Sequence, residues 1–119
     1  MNSPHIGPET RHALRTLRSS AVVGGIPVVV LTVSADVLAK AHGTSCDDAP
    51  YSDCLKISDH WRIRLQRGVG DFVMRDALEH EWAHALDEYL NGEATEPHRM
   101  KWGECLALCH RALYGDARR

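Results

Sequence analysis

The chain lacks a charge excess of either sign. Fourteen Lys and Arg stand against 16 Asp and Glu, for a formal net charge of −2. With a pI near 6.4, the chain has no global pull toward nucleic-acid phosphates. It also lacks an uninterrupted apolar run. AVVGGIPVVVLTV (21–33) is broken by Gly24, Gly25 and Pro27, and it is too short to span a bilayer. Arg11, Arg15 and Arg18 precede it and Ala39-Lys40-Ala41 follows, an order that imitates a secretory leader. The breaks and the depth of the run in the chain favour a buried strand instead.

Aromatic side chains make up only 6% of the sequence. None forms a platform among Arg62, Arg64 and Arg67 or among Arg11, Arg15 and Arg18, so these arginines read as solvated faces rather than a DNA-binding surface. DNA stays a secondary partner on this reading. The four cysteines lack the knuckle spacing of a zinc ribbon, since seven residues separate Cys46 from Cys54. A zinc site built from Cys46, Cys54, Cys105 and Cys109 therefore fits poorly. A Cys46–Cys54 disulfide would need an oxidising compartment, and reduced thiols in a cytoplasmic protein are the expectation. There is no internal repeat and no linker, so the 119 residues are expected to form one domain, 1–119. Apolar content of 44% and charged content of 25% are those of an ordinary soluble globular protein.

What is present points to an α+β fold. Residues 1–8 are expected to form a loose arm. From Glu9 to about Ser20, Ala13, Leu14 and Leu17 recur at helical spacing. VVVLTV (28–33) reads as a strand buried on both faces. Ser34 starts a short helix through Lys40, with Gly43 as its stop. GTSCDDAPYSD (43–53) is turn chemistry and reads as a surface loop. CLKIS (54–58) and HWRIRLQ (60–66) form a hairpin, with Trp61, Ile63 and Leu65 on one face of the second strand. Asp71 is the expected N-cap of a long helix to Asn91, stopped by Gly92. Leu78, Trp82, Ala85 and Tyr89 supply its core stripe. A last helix is expected from about Pro97 to Tyr114. The expected sheet is small, mostly antiparallel and packed on the helices.

The long helix carries His80, Glu81 and His84, an H-E-x-x-H pattern. Histidines four apart lie one turn apart, about 6 Å along the axis, and can converge on one tetrahedral zinc. Glu81 lies beside them, placed to take a proton from an attacking water but not to complete the shell. Eight histidines in so short a chain strengthen a metal reading. A third ligand is needed. Glu88 sits about 12 Å along the axis from His80, too far for one metal. Leu90 occupies the place where an astacin-like histidine would stand. His98 and Glu104 remain, both beyond the Gly92 turn. Glu104 follows His84 by twenty residues, the spacing of thermolysin-like enzymes.

HEWAHALDEYLNGEATEPHRMKWGE resembles the SprT-like family of zinc metallopeptidases, which includes the Spartan proteases and small bacterial and bacteriophage members. The family reads H-E-x-x-H-A, then a dozen or so residues, then a histidine followed four positions later by an aromatic. Here those places hold His80, Glu81, His84, Ala85, His98 and Trp102, with thirteen residues between His84 and His98. The resemblance covers roughly 71–114. It implies a minimal zincin fold, one Zn2+ held by His80, His84 and His98, Glu81 as general base, and hydrolysis of peptide bonds in a protein or peptide substrate. Arg99 departs from the family, which usually has glycine after the third histidine. Asp87, on the same helix face as the ligand pair, is a candidate to orient an imidazole, and Trp102 a candidate to wall the site. The rival reading is a non-catalytic, zinc-clamped binding module acting on DNA-associated proteins. A structural zinc site has no need of a base, so Glu81 argues for catalysis.

Overall fold

The computed structural model describes residues 5–93 and 98–115. Four helices and three strands follow the order α1 (Pro8–Ser20), β1 (Val28–Val33), α2 (Ala35–His42), β2 (Ser52–Ile57), β3 (His60–Gln66), α3 (Asp71–Asn91) and α4 (Met100–Tyr114). A short 3-10 turn, Cys46–Asp48, lies between α2 and β2. The fold is α+β, as expected, but the sheet is mixed rather than mostly antiparallel.

Its strand order is β1-β3-β2. β2 and β3 form the expected antiparallel hairpin, with Ser52 opposite Leu65 and Ile57 opposite His60. β1 instead runs parallel to β3, from Val28 beside Trp61 to Val33 beside Gln66. A parallel neighbour requires a crossover connection, here α2, the 3-10 turn and β2. The central strand is therefore β3, which alternates strictly: Trp61, Ile63 and Leu65 are buried and the residues between them are half-buried.

This topology overturns the expectation that VVVLTV is buried on both faces. β1 is an edge strand, and Val29 and Leu31 are 37% and 43% exposed. The core cluster lies under the other face, where α1, α3 and α4 contribute Ala13, Leu17, Met74, Leu78, Trp82 and Cys109. No residue of that cluster comes from α2, and the outer face of β1 keeps water contact through Val29 and Leu31.

α3 forms because Asp71–Asn91 contains neither Gly nor Pro and is rich in Ala, Leu and Glu, the strongest helix formers. It ends at Gly92, whose φ of 80° lies outside the range most side chains accept. As the central helix it is buried around much of its girth. Trp82 is 2% exposed, and its indole N–H donates to the Ala21 carbonyl at 2.7 Å. Tyr89 is a correction to the expected stripe. It is 51% exposed, lying so close over Gly24 that a Cβ there would strike its ring.

The expected cap is also corrected. Gly70 occupies the N-cap of α3, and Asp71 instead serves the start of α1. Its carboxylate accepts from Glu9 N at 2.8 Å, Thr10 N at 3.0 Å and Thr10 Oγ1 at 2.7 Å. The helix N-terminus at Gly7 has no side-chain cap of its own, so Asp71 supplies one from 61 residues away. Gly7 is fitted to this: a Cβ there would lie 2.5 Å from the Asp71 carboxyl carbon. Pro8, placed in the arm from sequence, is the first residue of α1, where its missing N–H costs nothing. The rest of the expected arm falls partly on residues 1–4, outside the described residues.

The polar stretch read as a loop through Asp53 is a strand from Ser52 onward. The last helix starts at Met100, not near Pro97; Pro97 itself lies outside the described residues. Among the described residues, no helix is long and apolar enough to cross a membrane.

Candidate metal centre

α3 brings His80 and His84 to one face, and the residues leading into α4 bring His98 to meet them. The Nε2 atoms of His84 and His80 are 3.3 Å apart, and His98 Nε2 lies 3.0 Å from that of His80. One ligand nitrogen from each of the three lies within 4.8 Å of the others. Nitrogens sharing one tetrahedral zinc at about 2.0–2.1 Å would be roughly 3.3 Å from each other, so the spacing fits a common ion. A shared proton would satisfy one pair of these nitrogens, whereas a cation between them satisfies all three. The three histidines lie close enough to hold one metal ion.

Protonation favours the same end. Burial, and then the neighbouring rings of His80 and His98, push His84 down to about 4. Burial and His98 lower His80 as well. Neutral imidazole is the ligating form. Trp102, four residues beyond His98 and in the first turn of α4, lies against all three rings, with centroids 5.0 Å from His80, 5.3 Å from His84 and 4.5 Å from His98. It is nearly parallel to His84, at 28°.

Glu104, the rival third ligand, is exposed and takes no part in this grouping. His98 is not on a helix at all. It has a φ of 57°, the left-handed region, which histidine enters more readily than most residues at a cost of order 1–3 kcal/mol.

Glu81 sits beside the cluster with 7% exposure. Burial raises its carboxyl above the usual carboxylate range, and a hydrogen bond from Ser52 partly opposes this. The Ser52 hydroxyl donates to Glu81 Oε2 at 2.5 Å. Both groups line an open cleft of about 510 Å³ that also exposes His80, His84 and His98. Edge strand β2 runs along this cleft, tied to α3 by a 3.0 Å ion pair between Lys56 and Glu88.

Three further features of the cleft carry no mark in the sequence. Ser52 stands in a turn-rich stretch, and only the register of β2 beside α3 aims it at Glu81. His42, at the end of α2, reaches Asp53 Oδ2 at 3.0 Å and lines the same cleft. Arg64 clamps that carboxylate through Nε at 2.9 Å and Nη2 at 2.5 Å. Burial alone would raise Asp53; the bonds from Arg64 and His42 hold it below the usual range. Arg64 is thus committed to Asp53 and does not add to a free cationic stripe with Arg62 and Arg67.

Asp87, expected to orient an imidazole, does something else. Its carboxylate accepts from Arg99 Nε at 3.0 Å, Arg99 Nη2 at 3.1 Å and Asn91 Nδ2 at 3.0 Å. Burial would raise its pKa, but these bonds outweigh that and hold it low. The cysteines do not assemble. Cys105 and Cys109 are in the core and Cys46 is exposed, its thiol facing Asp36 at 3.4 Å. Among the described residues the three histidines form the single grouping able to hold a metal.

Searches of family models, curated proteins and solved structures find no match to this chain.

Proposed function

We propose that the chain is a zinc metallopeptidase of SprT-like type with a minimal zincin fold, acting on protein or peptide substrates in the cytoplasm. The observation that carries this reading is a buried glutamate, Glu81, facing the same cleft as three convergent histidines. A structural clamp needs the histidines alone. A hydrolase needs a base beside them, held in one rotamer and raised in pKa toward the working pH, and Glu81 meets each condition through burial and Ser52.

His80, His84 and His98 would hold the ion. Zinc bound there would polarise the scissile carbonyl and acidify a water. Glu81 accepts the proton of the attacking water and delivers it to the leaving amine as the C–N bond breaks. An extended substrate chain fits along the free edge of β2, where backbone N–H and C=O groups can add hydrogen bonds without reading sequence.

The test is cleavage of an unfolded protein and a peptide panel by zinc-loaded protein, with and without DNA, against Glu81→Gln. Cleavage lost in the variant supports the peptidase reading. A zinc-loaded protein that cleaves nothing under either condition leaves the binding-module alternative in its place.

A further inference from the structure

We propose that Arg99 is a positioning residue for His98, locking the third metal ligand in place by clamping the start of α4 to the end of α3. The inference rests on the reading of His80, His84 and His98 as one metal site.

Arg99 is a junction of three contacts. Its side chain grips Asp87 with two parallel hydrogen bonds of 3.0 and 3.1 Å. The same Nη2 donates to the Gly92 carbonyl at 2.8 Å. Its backbone carbonyl accepts from Gly103 N at 3.1 Å, opening α4. The pair is asymmetric in exposure, 25% for the Arg99 side chain and 4% for Asp87. A buried carboxylate is a fixed anchor, because leaving it unpaired is costly, and a guanidinium fork reads its orientation as well as its charge.

His98 needs such an anchor. It lies outside any helix, is exposed, and holds a left-handed backbone, a conformation that persists only where the surroundings impose it. Its neighbour Arg99 is bonded to Asp87, three residues beyond His84, and to Gly92, just past the end of α3. Arg99 is thereby held to the end of the helix that carries the other two ligands. Asp87 acts on the site through Arg99 rather than through an imidazole. The same contact accounts for an arginine at a place where the resembled family has glycine: here the side chain turns away to α3.

The test is zinc affinity by competition with a colorimetric chelator, together with the melting temperature of metal-free protein. Arg99→Ala should weaken zinc binding by about 10- to 100-fold, the usual effect of removing a group that orients a ligand. Arg99→Lys, which keeps the charge but loses the fork, should recover only part. Asp87→Asn combined with Arg99→Ala should weaken binding no more than Arg99→Ala alone. Zinc affinity in Arg99→Ala equal to wild type overturns the proposal, as does a merely lowered melting temperature with affinity unchanged. Losses that add in the double variant overturn it too. Failure of the metal reading looks different: wild type binds no zinc, or His98→Ala binds as well as wild type, and the proposal then falls with it.

Discussion

The Ser52 hydroxyl reaches from β2 to Glu81 on α3 and donates a 2.5 Å hydrogen bond to Oε2. This bond sets the direction of the carboxylate and opposes the effect of burial, which raises its pKa. Glu81→Gln should keep metal and fold while lowering kcat by about 10²–10⁴-fold, the usual share of a general base. Ser52→Ala removes the contact that lowers the pKa, so the pKa should rise further. A base must be deprotonated to act, so the acidic limb of the kcat/KM profile should move to higher pH. A Glu81→Gln variant as active as wild type removes Glu81 from the reaction.

Metal content separates the two candidate third ligands. His98→Ala should lose zinc under mild chelator while Glu104→Ala retains it, since His98 meets the other rings and Glu104 is exposed. Elemental analysis of both variants decides it. Loss from Glu104→Ala alone would make this a thermolysin-like ligand set and end the SprT-like reading.

One complete set of ligands implies about one zinc per chain in protein purified without chelator. The ion would tie α3 to the start of α4, so chelation should lower the melting temperature. By linkage, free zinc at 100 times Kd adds about 2.7 kcal/mol. Two zinc ions per chain would instead demand a second site, and a scan unchanged by chelator would argue against any tie.

Asp71→Ala should destabilise the fold by about 1–2 kcal/mol, as loss of a helix cap does, because Glu9 N and Thr10 N lose their acceptor. Burial would raise the Asp71 pKa, but bonds from Thr10 and Glu9 hold it low. A depressed folded-state pKa gives stability that is present above the unfolded value and lost as pH falls through the folded one. Wild type should therefore lose stability on acidification more steeply than Asp71→Ala, as urea titrations across the acid range would show. Equal pH slopes would mean that the carboxylate contributes no linkage.

The sequence by itself determined the elements and half of the site. Periodicity places α1, α3 and the alternating strand β3, and glycines mark the helix ends at Gly43 and Gly92. Helical geometry alone puts His80 and His84 on one face, because four residues make one turn whatever surrounds them. What lay beyond local geometry was decided by tertiary structure. VVVLTV became an edge strand because pairing order, which no local pattern encodes, placed β3 between it and β2. Asp71 caps a helix 61 residues away rather than its own, since a carboxylate serves whichever orphan N–H groups packing brings to it. Between His98 and Glu104, spacing left both candidates open, and the family resemblance favoured His98. The Gly92 turn and the Arg99–Asp87 contact set which side chain comes back to α3. Ser52 went unmarked, and Arg99 stood out only as a departure from the resembled family, for the same reason. Their partners are distant in sequence, and a hydrogen bond across the fold leaves no period to read.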